Sequence, residues 1–203
     1  MTNETINKNN FKKDIIIAGV GGQGIVSIAS AIGYATLEAK LFFKQSEVHG
    51  MSQRGGEVQS HFRIANYPIQ SDLIPIGNAD LIISVEPLES LRYVNYLAPD
   101  GWIITNSVPY NNITNYPDLV QVHNEIKSFK NSILFDADSE ARKIGSVKAA
   151  NMVLLGAASE FLGIQFEMFE NAIKTLFGRK GDKIVDMNLK ALARGKEILH
   201  SNM

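Results

Sequence analysis

Two glycine-rich stretches hold the residues best suited to chemistry. The first, GVGGQG, contains Gly19, Gly21, Gly22, Gln23 and Gly24. Gly19, Gly21 and Gly24 satisfy G-x-G-x-x-G, in which glycines permit a tight turn and let a bulky group approach the start of a helix. Free backbone N–H groups at such a start favour anions. The second stretch, SEVHGMSQRGG, gathers Ser46, Glu47, His49, Gly50, Ser52, Gln53, Arg54, Gly55 and Gly56. Arg54 suits a forked contact with phosphate or carboxylate, and Gly55 and Gly56 let the backbone pass close to something large.

Each feature also has a plainer reading. The glycines suit close strand–helix packing with no ligand at all. His49 suits a solvated or hydrogen-bonded imidazole, Glu47 an ion pair with Arg54 or Lys44, and Ser52 lacks the surroundings of a nucleophile elbow. A bound dinucleotide calls for an acidic residue about 20 positions on, at the end of the second strand. Lys44 and Gln45 stand there instead, with Glu38 too early and Glu47 too late. Because a lysine suits the extra phosphate of NADP, three readings stay open: NAD(P), another phosphate-bearing ligand, and packing alone. No Gly-Lys-Ser/Thr follows, so this is not a Walker loop. No histidine or carboxylate pair has metal-ligand spacing, so no metal site is expected, and no catalytic residue is assigned.

The elements that would carry these loops follow from periodicity. DIIIAGV reads as a strand buried on both faces, and Ile25, Ile28, Ala29 and Ile32 recur at helical spacing. Leu41–Phe43 reads as a short second strand, giving β–turn–α–β with a right-handed crossover. Both glycine loops would then leave the C-terminal edge of one sheet, where ligand crevices of open α/β sheets form. EVQSHFRI alternates and suggests a half-exposed edge or antiparallel strand. ADLIISV and GWIITNS read as strands on either side of a helix begun by Pro87. LVQVHN and SILFDA look like two further short strands, and VPYNNITNYPD like a loop. From Asp138 onward the pattern is helical, with Asp182 placed to cap the last helix. The expected fold is one three-layer α/β domain over residues 13–200, Rossmann-like and mostly parallel, with an added antiparallel or edge strand and a helical C-terminal part.

Composition narrows the classes. A formal charge of -1 gives no electrostatic case for nucleic acid or an anionic membrane. The absence of cysteine removes disulfides, thiolate iron–sulfur ligation and a cysteine nucleophile. Residues 1–12 open with a polar, Asn-rich run and read as a disordered tail without the apolar core of a signal peptide. A cytoplasmic location is the expectation.

GVGGQG followed by SEVHGMSQRGGEVQSHFRI resembles the gamma-type subunit or domain of 2-oxoacid:ferredoxin oxidoreductases. The wording EVHGMSQRGG is most similar to the indolepyruvate (arylpyruvate) branch, and HGMSQ tilts the choice toward it, with a gamma subunit of the pyruvate or 2-oxoglutarate branch as the alternative. The likeness continues in NMVLLGAASEFLG and NLKALARGKEIL and spans Lys13 to Leu199. It implies oxidative decarboxylation of a 2-oxoacid on thiamine diphosphate, electrons passing through iron–sulfur clusters to ferredoxin, and acyl transfer to coenzyme A. It also implies that a larger partner subunit holds the thiamine diphosphate and the clusters. This chain, without cysteine and without the thiamine-site G-D-G motif, would be inert alone. Its own share would be the rim formed by the glycine turn and the Arg54 loop, facing the partner or a shared coenzyme A. A self-sufficient NAD(P) enzyme and a non-catalytic assembly module are the competing expectations.

Overall fold

The computed structural model describes residues 10–50, 55–111 and 113–202. Asp14 to Val20 is buried along its whole length within β1 (Lys12–Val20). Ile15 and Ile17 enter one hydrophobic core, Ile16 and Ala18 another. A strand covered on both faces is what a continuous apolar run requires. Phe11 packs against the first core, so the packed chain begins inside the stretch read as a tail.

Five more strands complete the sheet: β2 (Phe42–His49), β3 (Glu57–Ala65), β4 (Ala79–Ser84), β5 (Leu97–Asn106) and β6 (Ser132–Phe135). Their order is β2-β3-β1-β4-β5-β6. The pairs β1–β4, β4–β5 and β5–β6 are parallel, while β3 runs antiparallel to both β1 and β2. On one face lie α1 (Ile25–Glu38), α4 (Ala137–Ile144), α5 (Ala150–Ala158), α6 (Phe166–Phe177) and α7 (Asp182–Asn202). The other face is covered by α2 (Pro87–Arg92) and α3 (Leu119–Ser128). The three-layer α/β expectation holds. Among the described residues, no helix is long and apolar enough to cross a membrane.

Several local expectations are corrected. The second strand is not confined to Leu41–Phe43: it runs from Phe42 to His49, because β3 pairs with it along that whole length. It is not the neighbour of β1 either, since β3 lies between them. β3 is the expected antiparallel strand, but it is neither half-exposed nor at the sheet edge. His61 is buried on its polar face, accepts the Ile74 N–H at Nδ1 (3.0 Å) and meets Tyr96 edge-on. Residues 119–128 form a helix: the Asp118 carboxylate accepts the Gln121 N–H (3.0 Å), and Val122 and Ile126 reach the second core one turn apart. The helix begun by Pro87 ends at Arg92, and β5 starts at Leu97 rather than Gly101. Gly181, not Asp182, offers the carbonyl that receives the first N–H groups of α7.

Candidate functional site

β1 ends at Val20 and the chain turns through Gly21–Gly24 into α1. Gln23 closes the turn from both sides: its N–H donates to the Val20 carbonyl (3.1 Å), and its Oε1 accepts the Val20 N–H (2.8 Å). The glycines divide their work. A Cβ on Gly19 would fall 2.2 Å from Val85 Cγ2, so its small size serves packing. Gly24 has a left-handed φ of 86°, and a Cβ there would lie 2.6 Å from Asn151 Nδ2. Gly22 has a φ of 99° with open space where a Cβ would point. No side chain caps α1, and its first turn carries no acid, so that N-terminus stays open to an anion.

The second glycine stretch meets the first directly. The Gly21 N–H donates to the Gly56 carbonyl (2.9 Å), and the Gly55 N–H to the Gly21 carbonyl (3.5 Å). Gly50 faces Glu57 across the base of the β2–β3 hairpin, its N–H donating to the Glu57 carbonyl (2.9 Å). Ser46 and Glu47 lie within β2, with the Gln45 amide donating to Glu47 Oε2 (3.2 Å). His49 is the last residue of β2. Ser52, Gln53 and Arg54 fall outside the described residues. The structure thus brings Gly21, Gly22, Gly24, Gly55 and Gly56 to one rim. Ser46 and Glu47 sit back along the edge strand.

Beside Gly22 opens a cleft of about 930 Å³, lined by Gly22, Gln23, Gly24, Asn106, Asn151 and Lys183 among others. Its far wall comes from the helical half of the chain. Asn151 donates from Nδ2 to the Gly24 carbonyl (3.3 Å), fastening the start of α5 to the glycine turn. Asn106, at the end of β5, accepts the Ala137 N–H (3.0 Å) and donates to Asp138 Oδ1 (3.0 Å). Lys148, Lys180 and Lys183 also border the cleft. None of these three lysines has an ion pair among the described residues, and Lys180 rests over the Phe177 ring at 5.2 Å. Three unneutralised cations against one carboxylate, Asp138, favour an anionic occupant.

A polar knot stiffens the adjoining wall. Glu86 is buried, and its Oε1 accepts the Tyr116 O–H (2.5 Å) and the Tyr110 N–H (3.3 Å). Oε2 of Glu86 accepts the Glu89 N–H (2.8 Å) and caps α2. This holds Tyr110, which borders the cleft, against the sheet edge. Burial and the bond to Glu86 push the Tyr116 phenol far up, so it stays a neutral donor. Burial also raises the Glu89 carboxyl above the usual range, against the pull of Arg92.

A model of the family described as pyruvate ferredoxin/flavodoxin oxidoreductase matches residues 14–198. The chain belongs to that family. It is 36% identical over 199 residues to the indolepyruvate oxidoreductase subunit IorB of Pyrococcus horikoshii, covering 92% of this chain and 98% of the relative. Two solved structures share the fold. Pyruvate oxidoreductase subunit PORC from Thermotoga maritima has a TM-score of 0.71 at 24% identity, over 92% of this chain and 96% of that one. A 2-oxoglutarate:ferredoxin oxidoreductase from Magnetococcus marinus, with 2-oxoglutarate, coenzyme A and succinyl-CoA bound, has a TM-score of 0.73 at 20% identity, over 94% of this chain but 31% of that one.

Family membership gives the far segments of the likeness a physical meaning. NMVLLGAASEFLG supplies Asn151, which fastens the glycine turn, and Gly156. NLKALARGKEIL supplies Gly195, and α5 and α7 touch backbone to backbone at these two glycines. Sequence reading missed Asn106, Asp138, Asn151, Lys148, Lys180 and Lys183 as cleft residues. For Asn106 the available signal was a polar residue ending a buried strand at the same sheet edge. The lysines gave none, because a surface lysine in a helical region is ordinary.

Proposed function

We propose that this chain is the non-cluster subunit of an indolepyruvate or arylpyruvate:ferredoxin oxidoreductase, converting a 2-oxoacid to its acyl-CoA while ferredoxin is reduced. The substrate class rests on the 36% identity to an indolepyruvate oxidoreductase subunit. With no cysteine, these residues do not fit an iron–sulfur cluster, and the subunit reading assigns both the clusters and thiamine diphosphate to a larger partner subunit. When bound there, thiamine diphosphate supplies the carbanion stabilisation that decarboxylation needs.

This chain's own residues would bind and orient coenzyme A. The single observation that carries this is the hydrogen-bonded junction of Gly21 with Gly56, which unites both glycine loops beside a cleft bordered by Lys148, Lys180 and Lys183. The open N-terminus of α1 and the Cβ-free space at Gly22 suit a diphosphate. Arg54, adjoining Gly55, is the expected fork onto a phosphate oxygen. A stand-alone NAD(P) enzyme is disfavoured: Lys44 and Gln45 sit in β2, separated from β1 by β3, so no second strand beside β1 offers a ribose ligand.

The test is calorimetric titration of the assembled two-subunit complex with coenzyme A. Arg54→Ala and Gly22→Val should each weaken binding by about tenfold or more, the scale of a lost charge-assisted hydrogen bond. Unchanged affinity in both variants removes the coenzyme from this rim.

A further inference from the structure

A helix on the surface of a domain normally shows water a charged face. Helix α1 does not. In IVSIASAIGYATLE the only formally charged side chain is the last, Glu38, and it is drawn sideways to the Asn171 amide of α6 (2.7 Å). The inward face, with Ile25, Ile28, Ala29 and Ile32, is buried as expected. Outward stand Val26, Tyr34 and Leu37, exposed by 56%, 44% and 60%. At 3.6 residues per turn these three and Ser30 fall within about 80° of arc, a single stripe along the helix. Isolated exposed apolar residues are ordinary, whereas three aligned on one uncharged helix face form a patch that a partner can cover. Its upper end, Val26, lies two residues past Gly24, so the stripe begins at the rim of the cleft.

The geometry points to the occupant: an uncharged, apolar surface of the larger subunit, which seats on the α1 stripe and extends over the glycine rim. This rests on the subunit reading above. Size argues against a second copy of this chain. From Val26 to Leu37 the stripe is roughly 18 Å long and about 10 Å wide. Two copies meeting on it would bury on the order of 400 Å², against at least about 1,200 Å² in a stable complex. A larger body can cover the stripe and the adjoining rim together. In the oxidoreductase from Magnetococcus marinus the matched unit makes up 31% of one longer chain.

The test co-expresses this chain with its larger subunit and measures the affinity of the pair. Val26→Asp combined with Leu37→Asp should weaken association at least tenfold. Val120→Asp, on α3 across the sheet and equally exposed, should leave it unchanged. Thermal melting of the isolated variant checks folding, and Val26→Ser with Leu37→Ser replaces the pair if the melt collapses. Undiminished association in a folded variant overturns the surface assignment. So does a wild-type chain that sediments alone as a dimer and becomes monomeric with the substitutions, since the stripe would then serve self-association. A wild-type chain that forms no complex overturns the subunit reading itself, which separates the two failures.

Discussion

Single residues around the rim are specialised beyond what their identities announce. Gly19 and Gly24 serve packing, Gly21 pairs with Gly56, and Gly22 faces empty space. Gln23, an expected ligand contact, uses its Oε1 to close the turn. Glu89 is a buried acid whose Oε1 accepts from Arg92 Nε (2.9 Å) and whose Oε2 has no hydrogen-bond partner among the described residues. Burial raises its folded pKa above the ordinary 4.5, so the native state holds the proton more tightly than the unfolded chain. Stability contributed by this group is therefore present below pH 4.5 and declines as pH rises from there through the raised folded value. Glu89→Gln keeps the acceptor for Arg92 and gives the orphaned position a donor. The variant should melt higher than wild type at pH 7, with the difference vanishing in acid. Calorimetric melts across pH measure this, and an unchanged or lower midpoint at neutral pH removes the argument.

Elements are held at the rim by helix contacts of unusual closeness. A Cβ on Gly156 would lie 2.0 Å from the Leu192 carbonyl oxygen, and one on Gly195 would lie 1.9 Å from that of Val153. Backbone, unlike a side-chain tip, cannot step aside, so α5 and α7 would have to separate. Gly195→Ala should cost about 1–3 kcal/mol by denaturant unfolding, the range for overpacking a filled core. Because α5 carries Asn151 and α7 carries Lys183, the same variant should also weaken anion binding at the cleft. Loss of stability without any change in binding would show that the two helices do not set the cleft. The edge of the sheet teaches a different lesson. Lys44 to His49 looks like a loop because it is polar, yet eight residues of β2 pair with β3 in register. An edge strand needs only one apolar face, and here Phe43 stacks on Phe62 at 5.1 Å to provide it.

At the scale of the molecule, the cleft lies at the C-terminal edge of the parallel strands, the crevice position for open α/β sheets. The chain offers binding surface and cations there but none of the thiolates its proposed reaction class uses. Expressed alone, it should show no 2-oxoacid-dependent ferredoxin reduction, and activity should appear on adding the larger subunit. Turnover by the isolated chain contradicts the division of labour. Charge adds a further expectation for the assembled complex. Lys180→Ala with Lys183→Ala should weaken coenzyme A binding and flatten its dependence on ionic strength, since two unpaired cations leave the cleft. A titration series in salt measures both, and an unaltered salt slope would show that these lysines do not face the anion.

What the sequence determined by itself is local. An apolar run, a glycine turn and a helical repeat act among near neighbours through backbone sterics and side-chain periodicity. They specified the strand–turn–helix opening and the α/β class. The meeting of the two glycine loops at one rim also followed, because strands of like direction end together. The tertiary structure decided that β3 inserts between β1 and β2, that residues 119–128 coil, and that the far wall of the cleft comes from residues 127 positions away, as Asn151 reaches Gly24. Such choices depend on which buried faces fit together across the whole core. That free energy is shared among many distant contacts and leaves no mark in any short stretch of residues.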